Sequence, residues 1–169
     1  MATIRRERPE DAGGVRAVHE RAFGSDSGEA GLVDALRADG AHVAELCLVA
    51  AEGDAVVGHV FYSRARLASG HEVLALAPMA VLPRRQRGGI GSRLVEDSLR
   101  RAAGTAFPLV VVLGHPGYYP RFGFVPAAEY GVLAPWEVPA EAWMALRLPA
   151  YEPAARGLVT YAGPFDEVT

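Results

Sequence analysis

Residues 86–92, Gln-Arg-Gly-Gly-Ile-Gly-Ser, join cationic side chains to glycines where a helix is expected to begin. The first turn of a helix has backbone N–H groups with no partner inside the helix. The helix dipole adds about half a positive charge there. Glycine removes the Cβ, so an anion can approach the backbone closely. Arg84, Arg85 and Arg87 add full charges suited to bidentate phosphate contacts. The set fits a diphosphate better than a single carboxylate. It is not a P-loop, which needs Gly-Lys-Ser/Thr, nor the dinucleotide fingerprint, because Leu94 stands where a third Gly is required. The same residues could instead form a Gly-rich turn with a solvated basic face.

A second cluster, residues 114–124, reads Gly-His-Pro-Gly-Tyr-Tyr-Pro-Arg-Phe-Gly-Phe. It follows the apolar run 109–113. His115 therefore stands at the C-terminal end of an expected central strand, where ligands bind in many such sheets. Its neutral imidazole can accept a proton. His59, Glu29, Glu45 and Glu72 are further candidate bases. His59 follows Gly58 inside a strand and reads as structural; Glu29 reads as an acidic first turn or as a group facing substrate. The five histidines have no short metal-ligand spacing, so no metal is expected.

The elements that must hold these residues follow from periodicity. Residues 3–8 alternate as a first strand. Pro9-Glu10-Asp11 signals a helix start, and Val15, Val18, His19 and Ala22 recur at helical spacing. After a break at 24–28, a second helix fits 29–38. Strands are expected at 46–52 and 55–67, joined by a Gly53-Asp54 turn, and again at 73–81. A long helix over 90–103 lines up Ile90, Leu94, Val95 and Leu99. A buried strand over 108–113, a short helix or turn over 116–122, and strands at 124–125, 142–148 and 158–161 complete the pass. The aromatic and proline-rich stretch 127–143 fits either an acceptor pocket or packing around a long loop. The order indicates one α/β (α+β) domain on a mixed sheet.

Composition narrows the class. The 169 residues are 50% hydrophobic, enough for a full core, and carry a net charge of −3. Such a chain gives no reason to expect a nucleic-acid partner. All 17 basic residues are Arg, which excludes Schiff-base lysine chemistry. Cys47 is the single cysteine, in an apolar run, and reads as a buried inert thiol. No apolar stretch reaches the length of a membrane span and no secretory leader is visible, so a cytoplasmic protein with no membrane partner is expected.

Gln86-x-x-Gly89-x-Gly91 at a helix start, preceded by a strand ending Ala80-Val81-x-Pro83, resembles the acyl-CoA-binding motif of the GNAT superfamily of N-acetyltransferases. The resemblance extends over roughly 3–148. It implies a single domain over 1–169, with a core near 3–149 and an extension at 150–169. It further implies a mostly antiparallel sheet flanked by helices, with central strands that splay near Pro78. By the same resemblance the backbone of Met79, Ala80 and Val81 would pair with the pantetheine arm of acetyl-CoA. Gln86, Arg87, Gly88, Gly89, Ile90, Gly91 and Ser92 would form the pyrophosphate loop. Tyr119, four residues before the Gly of a Gly-Phe pair, would stand near the cofactor sulfur as general acid. His115 is the candidate base. The chain departs from the family pattern at Gly114-His115, where an Asn is often found.

The activity this implies is acetyl transfer from acetyl-CoA to a primary amine of a small molecule or peptide by direct attack. A non-catalytic acyl-CoA-binding module on the same fold is the alternative, and an unrelated phosphate-binding protein is a third. A homodimer is the oligomeric state expected from frequency alone.

Overall fold

The computed structural model describes residues 1–24 and 28–167, with side chains up to residue 165. The expected break at 24–28 thus falls largely on residues 25–27, outside the described ones. The elements in chain order are β1 (Thr3–Arg6), α1 (Ala12–Phe23), α2 (Glu29–Ala38), β2 (Leu48–Glu52), β3 (Ala55–Leu67), β4 (Glu72–Val81), α3 (Ile90–Ala102), β5 (Leu109–Leu113), β6 (Val125–Pro126), β7 (Val132–Leu133), β8 (Trp143–Arg147) and β9 (Gly157–Thr160). This is a mixed α/β fold with three helices and a mostly antiparallel open sheet. The chain divides into two compact units, 1–63 with 77–101 and 162–169, and 64–76 with 102–161. Strands β3 and β4 each contribute one end to each unit.

In the first unit β1, β2 and β3 pair antiparallel, Ile4 against Ala50 and Val49 against His59. The register shifts between Ala50 and Ala51, which oppose Gly58 and Val56. The extra residue, Val57, is a β-bulge, so Val56 and His59 share one face despite their odd spacing. That face meets the first two helices. A Cβ on Gly14 of α1 would stand 3.0 Å from Val56, His59 reaches His19 of α1, and the Arg37 guanidinium of α2 sits 5.4 Å from the Phe61 ring centroid. The opposite face carries Gly58 and Tyr62 and meets α3. A Cβ at Gly58 would lie 3.0 Å from Leu94 Cδ1, so this glycine lets α3 approach the sheet. The Tyr62 hydroxyl bonds Ser98 at 2.7 Å.

In the second unit β4 runs parallel to β5, Leu74 beside Val110 and Ala75 beside Val111. β5 pairs antiparallel with β8, and β8 with β6. β9 pairs with β3 and also with β7. The residues beyond 149, expected as an extension, therefore supply a strand. The core gathers Leu67, Val73, Leu109, Val111, Trp143 and Val159. The buried Trp143 indole donates to the Val132 carbonyl at 3.1 Å, which satisfies its N–H. Trp136 stacks on Tyr161 at 4.9 Å and Tyr130 packs against Tyr151. The aromatic stretch 127–143 is thus packed into this unit.

Among the described residues no helix is long and apolar enough to cross a membrane.

Candidate functional site

Strand β4 leads directly into the Arg–Gly loop. The Ala77–Pro78 peptide is cis, and Pro78 offers no N–H to a neighbour. Ala80 and Val81 are buried, and Met79 is partly so. Beyond the strand, Leu82 donates its N–H to the Val57 carbonyl at 2.9 Å, and residues Pro83–Arg85 form a single 3-10 turn. Arg85 is then tied down by Glu52, its Nε donating to Oε1 at 3.0 Å. Gln86 turns back on the strand, and its side-chain amide donates to the Val81 carbonyl at 3.0 Å. Through that bond Gln86, one of the candidate cofactor residues, holds the loop against the strand end.

Arg87, Gly88 and Gly89 are exposed. Arg87 has φ +68° and Gly89 φ +86°, so the chain passes through the left-handed region twice before α3 begins. A Cβ at Gly89 would meet nothing within 4 Å. The space over this backbone is open, as a bound anion requires. At the start of α3 the Arg93 N–H donates to the Gly89 carbonyl at 3.0 Å. Ile90 is buried against β3 and anchors the helix start, while Gly91 and Ser92 are partly exposed. A hollow of about 370 Å³ bordered by Arg21, Leu82, Pro83 and Arg84 adjoins the loop and adds two cations. The residues present therefore fit a diphosphate-bearing ligand.

The second-unit candidates sit on one turn. Gly114 N–H bonds the Ala142 carbonyl, and His115 begins a tight turn whose carbonyl accepts from Tyr118 and Tyr119. His115 is exposed, and its Nδ1 accepts the Gly117 N–H at 3.0 Å. One ring nitrogen of the expected base is thus already engaged. Tyr119 is 8% exposed and packs edge-on against Phe124 at 5.6 Å. Burial, with Tyr118 beside it, pushes its phenol up to about 12. A Cβ at Gly114 would lie 2.3 Å from Tyr119 Cε2. Gly114 is therefore required by the Tyr119 ring, a dependence between residues five apart that spacing rules do not reveal.

The other candidate bases separate. Glu45 and Glu72 are exposed. Glu29, at the first position of α2, has Oε2 buried without a hydrogen-bond partner among the described residues. His59 is fully buried and belongs to a polar cluster with Glu7, His19 and Arg37. Glu7, His19 and Arg37 were not singled out by motif. Their sequence signal was a histidine on the apolar face of each of two expected elements. Among the described residues no group of three or more His, Cys, Asp or Glu is placed to hold a metal ion.

Comparison with known proteins places these features in context. The acetyltransferase (GNAT) domain pattern matches residues 43–126. An uncharacterized N-acetyltransferase of Escherichia coli K12, YjhQ, is 37% identical over 161 residues, covering 91% of this chain and 88% of its own. The crystal structure of YhbS from E. coli in complex with CoA superposes with a TM-score of 0.88 at 34% identity, over 98% of this chain and 92% of that one. A GNAT acetyltransferase from Brucella melitensis, in complex with acetyl-CoA, gives 0.81 at 34% identity, over 98% and 99%.

Proposed function

The chain belongs to the GNAT acetyltransferases, and from that premise we propose that it moves an acetyl group from acetyl-CoA to a primary amine of a small molecule or peptide. The observation that carries this reading is the open, cation-flanked backbone at Arg87–Gly89 leading into α3. Bound acetyl-CoA supplies a thioester, an acyl group already activated toward an amine. Everything else falls to the chain. The N–H groups of Gly88 to Gly91 and the Arg87 guanidinium hold the diphosphate. The backbone of Met79 to Val81 aligns the pantetheine arm as an added strand, and a backbone N–H near Val81 polarises the acyl carbonyl. Tyr119 stays protonated far above neutral pH, so its hydroxyl holds a proton for the departing sulfur.

Thermal melting with ligands tests the binding half. Acetyl-CoA should stabilise the protein while ATP and NAD should not. Release of free CoA thiol with a panel of amines and peptide N-termini tests the transfer half. Binding without turnover on any amine would leave a sensing module and remove the enzyme. Tyr119→Phe should lower turnover by about 10²-fold with little change in acetyl-CoA affinity. Equal turnover would take Tyr119 out of the mechanism.

A further inference from the structure

Beside the Arg–Gly loop lies the hollow of about 370 Å³ bordered by Arg21, in the last turn of α1, and by Leu82, Pro83 and Arg84. Its floor has little backbone to give an anion. Leu82 spends its N–H on the Val57 carbonyl, and Pro83 has none. Arg85 and Gln86 return theirs to the Leu82 and Pro83 carbonyls, at 2.8 and 3.3 Å. An anion in this hollow is met by side chains.

The two arginines are the side chains free to do so. Both are exposed, and neither has a carboxylate within ion-pair distance among the described residues. The charges next to them are already matched. Glu20, beside Arg21, pairs with Arg16 at 3.1 Å, and Arg85, beside Arg84, pairs with Glu52. No acidic residue borders the hollow among the described residues. Two cations facing one space repel each other, and a doubly charged anion between them relieves both. A guanidinium fork also matches a phosphate in two parallel contacts.

Coenzyme A carries phosphate in two places. One is the diphosphate, assigned above to Arg87 and the N–H groups of Gly88 to Gly91. The other, one ribose away, is a 3′-phosphate monoester, a group that carries a charge of about −1.5 to −2 at pH 7. Arg84 is three residues before Arg87, at most about 11 Å along the chain, so the hollow lies within reach of the second phosphate of a ligand held at the loop. We propose that Arg21 and Arg84 hold the 3′-phosphate of coenzyme A and make the protein select free acyl-CoA as its acyl donor. This rests on the acyl-transfer reading above. The pair is built from two elements, α1 and the turn after β4, so it fixes the nucleotide end of the donor from two sides. A pantetheine thioester without the 3′-phosphate, whether on dephospho-CoA or tethered to a carrier protein through one phosphodiester, lacks the group that these residues read.

The test is titration calorimetry with CoA and with 3′-dephospho-CoA, for wild type, Arg21→Gln, Arg84→Gln and the double variant. Wild type should bind CoA about 10²-fold more tightly than dephospho-CoA, about tenfold for each charge-assisted contact. Each single variant should lose about tenfold for CoA and less than twofold for dephospho-CoA, and the double variant should bind the two alike. The wild-type preference should narrow in high salt. Equal affinity of wild type for the two ligands overturns the proposal and leaves the acyl-transfer reading standing. So do variants that lose the same factor for both ligands, since the arginines would then act as a general basic field. A wild type that binds neither ligand overturns the acyl-transfer reading and this one with it. Phosphorus NMR of CoA bound to wild type needs no variant to fold. The monoester of free CoA takes up a proton near pH 6, and two guanidinium partners should hold that step well below 6 in the complex. A bound monoester that still titrates near 6 refutes the assignment.

Discussion

The Arg–Gly loop and the Glu7–Arg37–His59–His19 cluster both concentrate charge in the first unit, by opposite means. The loop is contiguous and exposed, and in the reading proposed for it an anion is held by adjacent backbone N–H groups and the Arg87 guanidinium. The cluster is buried and assembled from four segments, and each member is tolerable only because the next one is there. A change in the loop should therefore alter what binds and leave the fold intact. A change in the cluster should alter the fold and its response to pH.

The sharpest test of that division is Gly89→Glu. A carboxylate at the helix start opposes a diphosphate by charge and by bulk. Affinity for CoA should fall by about 10³-fold, or about 4 kcal/mol, by titration calorimetry. Gly89→Ala separates the two causes. It shares the strain of φ +86°, about 1–2 kcal/mol of stability, without the charge. If both variants bind CoA as well as wild type, the loop is only a basic turn.

The counterpart in the cluster is Arg37→Met. Glu7 would keep its burial but lose its cation. Arg37 is 30% exposed at the side chain, which lowers the usual cost of breaking a buried pair to about 2 kcal/mol. That corresponds to a melting temperature lower by about 4–8 °C. CoA affinity should not move. A variant that melts with wild type would show that the pair contributes nothing.

The same contrast explains what could be read from sequence. The loop's position was legible because its residues are adjacent in the chain, and the elements around it followed from periodicity. Helix α2 and strand β3 begin and end where spacing places them. Helix α1 starts at Ala12, because Pro9 to Asp11 form a separate 3-10 turn stapled by Asp11 to Arg5 and to the Arg8 N–H. β2 starts at Leu48 for a similar reason, with Ala44–Leu46 in a 3-10 turn. Strand β7 escaped notice since two residues, Val132–Leu133, carry no period and exist as a strand only through β9. Gly114 and Gln86 hid their roles in contacts made after folding. The cluster hid for the same reason: Glu7 and His59 are brought together across the sheet, and His19 read as one more residue on an apolar helix face.

Acid should find the cluster before it finds the loop. The folded protein keeps His19 unprotonated down to about pH 3, whereas the unfolded chain takes that proton near 6.5. Between those values the unfolded state binds more protons, so stability rises with pH and is lost as pH falls through the window. One such group gives a slope of at most about 1.4 kcal/mol per pH unit. Glu7 acts in the same direction lower down. Burial pushes its carboxyl up, but His59 and Arg37 outweigh this and hold it below its usual value. Chemical denaturation at pH 7, 6 and 5 should show the loss, and His19→Leu should flatten it. An unchanged slope in that variant would assign the acid sensitivity elsewhere.

The smallest expected effect lies inside the loop itself. Arg85 and Arg87 are two residues apart, yet only Arg85 is committed, to Glu52. Both partners are partly exposed, so the pair is worth at most about 1 kcal/mol, and Arg85→Ala should cost no more than that in stability. CoA affinity should fall by less than about twofold, because the Arg85 charge is already neutralised. Arg87 is the comparison. Its φ of +68° suits glycine, so Arg87→Gly removes the charge without adding strain. Affinity should then fall by about tenfold, one charge-assisted contact or about 1.4 kcal/mol, and the loss should shrink in high salt. Equal losses from Arg85→Ala and Arg87→Gly would mean that the loop acts as a diffuse basic field rather than through a placed guanidinium.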